Sequence, residues 1–207
     1  MKNINYVALV IIGLFFLISC STPPEDVPKA EINSGQNQPE ENQAPNEPEA
    51  IVGADASTVN AEISREAIDK ARSNFEFEGY GIGKSHVGTF EDWEGALLYE
   101  DGKIIGISGT VQASSVETDI DGLNNHLKSC DFFCVEEYPE IKFTSKSLEG
   151  DIMYGDLTFL GVTREISFPI EITDESISTE FLLDTAMFGM SYKGVDPEVR
   201  LSFTFAK

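Results

Sequence analysis

The chain has 207 residues, of which 41% are hydrophobic, enough for one packed domain with appendages. Its 36 acidic side chains outnumber 14 basic ones, for a formal net charge of −22. A surface that acidic repels phosphate backbones, which argues against nucleic acid as a partner, and its ordinary meaning is solubility.

Met1 to Ser19 reads as a targeting segment. Lys2 supplies a minimal positive region, and Tyr6 to Ile18 is apolar but short of the ~20 residues a membrane span needs. Leu17-Ile18-Ser19-Cys20 resembles a lipobox, after which Cys20 becomes the mature N-terminus and carries lipid. The alternative is an uncleaved anchor helix. Both readings export the protein and tether it to a membrane face, in the periplasm or at the cell exterior.

Ser21 to about Asp55 is rich in Pro, Glu, Asn and Gln and nearly free of large apolar side chains. Such a stretch buries too little surface to offset chain entropy, so residues 20–60 are expected to be a disordered tether. Thr58 to Glu66 reads equally as helix or extended chain. The domain proper is placed at residues 61–207.

Alternating runs separated by turn signals then recur. Phe75, Phe77 and Gly79 share a face, as do Trp93, Gly95 and Leu97. Asp101-Gly102 signals a hairpin, followed by Ile105, Ile107, Gly109 and Val111. His126 to Phe143 is the most particular stretch. Asp121 to Ser129 is the one good helix candidate, Phe132-Phe133 places two aromatics beside a charge, and Tyr138-Pro139 breaks what precedes it. Beyond the break Ile141, Phe143 and Ser145 alternate. Further strands carry Met153 to Phe159, Ile166 to Ile172, Ile177 to Leu183 and Val199 to Phe205. About eight strands at this spacing predict an antiparallel sandwich or barrel with one short helix. Gly95, Gly109 and Gly155 fall on inward faces, where they bend strands or leave room inside. An eight-stranded barrel has an interior just wide enough for one small ligand.

The same stretch resembles the core motif of the YceI-like family, in His126-Leu127-Lys128-Ser129, Phe132-Phe133, Tyr138-Pro139 and Ile141-Lys142-Phe143. Gly155-Asp156-Leu157-Thr158 with Gly161-Val162-Thr163 resembles that family's typical hairpin. Ile68-Asp69 with Ser73, Phe75 and Phe77, then Ser85-His86 with Gly88, Thr89, Phe90 and Gly95, then Phe188-Gly189-Met190 and the closing strand also fit. The resemblance covers roughly Ala67 to Lys207. It implies an all-β, eight-stranded, lipocalin-like barrel that binds a polyisoprenoid, either a polyprenyl lipid or an isoprenoid quinone, as ligand and with no separate cofactor.

Cys130 and Cys134 stand where the family motif usually has polar residues. As an even pair in an exported protein they read first as a disulfide, which requires the helix to end before Cys134. A sharper alternative adds His126: spaced four and four, the three side chains would share one helix face and bind a soft metal, though a structural site normally needs a fourth ligand. The family has this histidine without the cysteines, which favours a packing or capping role and no metal. No nucleophile elbow, zinc-protease helix or phosphate loop is present, so an enzyme is not expected. The expected liners of the interior are Phe75, Phe77, Ile107, Phe143, Phe159, Phe168, Ile170, Phe181 and Phe203. The rival from another class is an interaction module with a filled core.

Overall fold

Alternation sets the strands: in Ile152–Phe159 every second side chain, from Met153 to Phe159, is buried. The protein is represented by a computed structural model, which describes residues 21–33 and 63–207. The targeting segment, Cys20 and most of the expected tether lie outside the described residues. In chain order the elements are β1 (Glu31–Ile32), β2 (Ile63–Ala67), β3 (Asn74–Gly81), β4 (Lys84–Phe90), β5 (Trp93–Glu100), β6 (Lys103–Gln112), β7 (Val116–Thr118), α1 (Asp121–Lys128), β8 (Glu140–Glu149), β9 (Ile152–Phe159), β10 (Val162–Pro169), β11 (Glu171–Ile172), β12 (Ser176–Asp184) and β13 (Glu198–Ala206).

They form two antiparallel sheets, one ordered β1-β10-β9-β8-β6-β5-β2 and the other β11-β12-β13-β3-β4-β7. Their inward faces share one core, with Leu97, Ile107, Met153 and Ile166 from the first and Phe77, Phe90, Ile177 and Phe181 from the second. The turn predicted at Asp101-Gly102 joins β5 to β6 with φ of 49° and 73°, the left-handed pair of a type I′ hairpin.

The fold class is the expected one, with differences of detail. A single ring of eight strands was expected. Among the described residues there are thirteen strands in two sheets that are not joined into one continuous ladder. Strands missed as such include the short β7 and the longer β4, whose Lys-Ser-His-Val-Gly-Thr-Phe run carries little apolar alternation of its own. It is held by ladders to β3 and β7. Ile63–Ala67, for which sequence favoured neither state, is a strand because it pairs with β5.

The largest difference concerns the tether. Residues 21–33 are not loose chain but lie along the domain. Ala30 N–H donates to Leu182 O at 2.8 Å, and Leu182 N–H donates to Pro28 O at 2.8 Å. A few residues on, Ile32 pairs with Ile166 and Asn33 N–H donates to Glu165 O at 2.9 Å. This strap therefore bonds to β12 on one side and β10 on the other, bridging the seam between the sheets. Composition pointed to disorder because the strap gains its order from backbone hydrogen bonds to two sheet edges, which apolar content does not report.

One end of the interior is covered by α1. Buried Asn124 accepts from Thr118 N–H at 2.8 Å and donates to Glu117 at 2.7 Å, tying the helix to β7. Leu127 faces inward and is buried. The helix stops at Ser129, whose backbone is extended.

Candidate apolar binding site

Two apolar chambers lie between the sheets. The first, of about 130 Å³, is walled by Ile107, Phe143, Phe168, Phe181 and Phe203 together with Trp93. The second, of about 220 Å³, is walled by Phe77, Phe159, Leu127, Phe132 and Phe133. Phe75, Val111, Ile141, Leu157 and Leu201 border both, so the chambers meet along one shared wall. Together they reach the lower end of the ~300–1,000 Å³ usual for ligand pockets.

Glycines create part of this space. Gly95 and Gly109 line the first chamber, and a Cβ at Gly95 would approach Ile68 Cδ1 to 2.8 Å. At Gly88 a Cβ would lie 2.4 Å from Phe77 Cζ, so the Phe77 ring rests on bare backbone. Aromatic contacts then fix the walls, with Phe133 against Phe77, Phe90 and Phe159 at centroid separations of 6.3, 5.5 and 5.9 Å.

Eight of the nine side chains singled out from sequence thus face one chamber or both. The exception is Ile170, which is buried but adjoins a shallow polar cleft beside Asp151 and Glu171. It follows Pro169 at the end of β10, where the ladder with β9 stops. Sequence reasoning missed the contributions of Leu123, Leu127, Phe132 and Phe133, which enter from α1 and the segment after it. It also missed Met190 and Val195, which belong to no strand and carry no periodic signal. Val111 and Leu201 shared the parity of named liners and were legible from it.

Polar groups gather at the end of the second chamber reached by Gly81, His86 and Val195. His86 Nδ1 lies 3.7 Å from Asp119 Oδ1. Tyr80, which also borders the second chamber, donates to Glu78 at 3.1 Å, and burial, aided by the Glu78 carboxylate, pushes its phenol up to about 12. Arg200 sits between Glu78 at 2.7 Å and Glu180 at 2.9 Å on the outer face.

His126, Cys130 and Cys134 do not share a helix face, because α1 ends at Lys128. His126 instead meets Asp131 at 3.0 Å and packs edge-on against Phe132 and Tyr192. The sulfurs of Cys130 and Cys134 are bonded to each other. Glu137 lies beside them, but sulfurs joined in a disulfide are not the thiolates that a metal site requires.

Residues 67–206 match the family model described as a YceI-like domain. The chain belongs to the YceI-like family. A UPF0312 protein of Staphylococcus aureus (strain bovine RF122 / ET3-1) is 35% identical over 111 residues, 52% of this chain and 65% of that relative. Its counterpart in strain USA300 is 34% identical over the same shares. The chain thus spans just under two thirds of the length of these relatives. Among solved structures, Burkholderia cenocepacia BcnA superposes with a TM-score of 0.59 at 16% identity, over 68% of this chain and 99% of that one. A polyisoprenoid binding domain from Saccharophagus degradans, implicated in plant cell wall breakdown, gives 0.54 at 13%, over 70% and 98%. At such identities these two show the fold.

The YceI-like motifs acquire physical reasons here. Tyr138 of the Tyr-Pro pair covers Gly161 of the hairpin motif, where a Cβ would meet Tyr138 Cε1 at 2.6 Å. Gly161 also has φ of +72°, which favours glycine on its own account. Phe143 lies over Gly155 in the same way, 2.5 Å from where a Cβ would stand. Motifs far apart in sequence are therefore mutual packing partners.

Proposed function

We propose that this YceI-like protein is an exported, non-catalytic carrier, anchored to a membrane through lipid on Cys20, that holds one long apolar isoprenoid-type lipid between its two sheets. The observation that carries this is the pair of apolar chambers sharing one wall, which suits an extended branched chain better than a compact ligand. Burying a methylene contributes roughly 0.8 kcal/mol, so each five-carbon isoprene unit adds on the order of 3–4 kcal/mol before ordering costs. His86 and Thr118 are polar groups in the lining of the second chamber, and in this reading they meet the head group. A polyprenyl lipid and an isoprenoid quinone share this chemistry. The neighbouring domain described as polyisoprenoid binding supports the same ligand class.

The test is native mass spectrometry. The chain from Ser21 is exported behind a cleavable signal by cells that make isoprenoid lipids, and co-purifying lipid is extracted and identified. A stoichiometric apolar adduct is expected. A clean apo mass that persists after incubation with quinones and polyprenols overturns the carrier reading in favour of an interaction module.

A further inference from the structure

The strap ends beside the second chamber, at Gly81 and Val195 of its lining. Ser21 Oγ donates to Gly81 O at 3.1 Å, and Gly81 is bridged to Val195. The segment 34–62, which would be the spacer in a free tether, runs instead between two points fastened to the domain. Asn33 bonds to Glu165 at one end, and Ile63 pairs with Glu100 at the other. It therefore does not stand between the domain and whatever precedes Ser21.

The same end of the domain carries exposed apolar side chains. Ile82 is 82% exposed, at the tip between β3 and β4. Its Cδ1 lies 2.9 Å from where a Cβ on Gly194 would stand. Tyr192, 39% exposed, packs on Phe132 of the chamber wall. Ile120, also 39% exposed, caps α1, whose Leu123 and Leu127 line the chamber. The charges that adjoin these residues in sequence are mixed: Lys84 and Lys193 against Asp119, Asp121 and Asp131.

We infer that this end of the domain faces the membrane, and that residues 21–33 strap it there so that apolar lipid moves directly between bilayer and second chamber. The inference rests on the reading that the chain is membrane-tethered at or before Cys20. Whether Cys20 carries lipid or the apolar run stays as an anchor, the membrane-embedded part ends within a few residues of Ser21, and each residue of chain reaches at most ~3.6 Å. This end then lies at headgroup level, where Ile and Tyr side chains gain by insertion. With so acidic a chain the contact is apolar and does not depend on anionic lipid.

The test uses the full chain purified from membranes of an exporting cell and reconstituted in phosphatidylcholine vesicles carrying a nitroxide-headgroup lipid. A thiol-reactive fluorophore is placed at Ile82→Cys or, separately, at Asp174→Cys. Asp174 lies on the turn before β12, whose nine residues span ~30 Å and end at Asp184 near the strap. Vesicle flotation reports tethering, and quenching reports depth. Flotation with several-fold stronger quenching at Ile82→Cys is the expected result. Flotation with equal or reversed quenching overturns the orientation while leaving the tether intact. Failure to float removes the tether and the inference with it, while co-purified lipid still judges the carrier reading separately. Ala30→Pro deletes the N–H that bonds Leu182. It should float yet lose the Ile82 preference, and if the preference survives, the strap does not set the orientation.

Discussion

Phe168 and Phe181 stack across the seam between the two sheets, their ring centroids 4.5 Å apart and their planes 11° from parallel. Phe168 comes from β10 and Phe181 from β12, the same two strands that the strap bridges with backbone bonds. The seam is thus closed by aromatic packing inside and by a docked segment outside. Both rings also wall the first chamber. Phe181→Ala should cost about 3–5 kcal/mol in denaturant unfolding, since it removes a buried ring and leaves a void. A double-mutant cycle with Phe168→Ala should return a coupling of about 0.5–1.5 kcal/mol. Strictly additive losses would mean that the stack is incidental.

Two glycines separate rigid from yielding neighbours. At Gly155 an added Cβ would approach the Thr144 carbonyl to 2.6 Å as well as the Phe143 ring. The carbonyl belongs to the β8–β9 ladder and does not move without breaking it. At Gly88 the two closest atoms are the far end of the Phe77 side chain, which borders the second chamber, and the nearest backbone atom, the Glu117 carbonyl, stands farther off at 3.0 Å. Gly155→Ala should therefore be the more destabilising, by more than the ~1–3 kcal/mol typical of overpacking. Gly88→Ala should lose bound lipid before it loses stability. Thermal melts with lipid extraction compare the two, and a Gly155→Ala protein as stable as the parent contradicts the account.

Period-2 patterning placed most of the wall because it depends on sequence neighbours alone: Phe75 with Phe77 and Phe143 with Ile141 follow from alternation. It failed where order comes from tertiary partners. β4 is weakly apolar but has ladders on both sides. The strap is polar and Pro-rich yet pairs with two sheet edges. Ile170 kept the right parity but lies past Pro169, where the strand it was counted on ends. Phe132 and Phe133 face the second chamber from a non-periodic segment, and the family resemblance flagged them without assigning a direction.

The shared wall predicts control of chain length. Val111 borders both chambers and is half-buried on β6. Val111→Trp would fill the junction, at an overpacking cost of about 1–3 kcal/mol. Lipids long enough to need both chambers should be lost, and short prenyl chains kept by the second chamber alone. The measurement is the ratio of long to short prenyl ligands retained after equilibration with a mixture. An unchanged ratio would show that the ligand does not pass the junction.

Tyr80 makes stability depend on alkaline pH. In the unfolded chain its phenol ionises near pH 10. In the folded protein burial and then Glu78 hold the proton to about 12. Between those values the unfolded chain releases a proton that the folded one keeps. The stabilisation is therefore complete below pH 10 and is lost as pH rises toward 12. Tyr99 acts in the same direction, raised by burial first and by Glu66 second, so the wild-type curve combines both residues. Tyr80→Phe isolates one of them. It should cost about 1 kcal/mol at neutral pH through the lost bond to Glu78. Its stability should then fall less steeply than wild type above pH 10. Denaturant melts at successive pH values, with tyrosinate absorbance followed in parallel, make the comparison. Parallel curves would mean that the phenol ionises alike in both states, and that the outer face of β3 is open to water rather than sealed by Glu78 and Arg200.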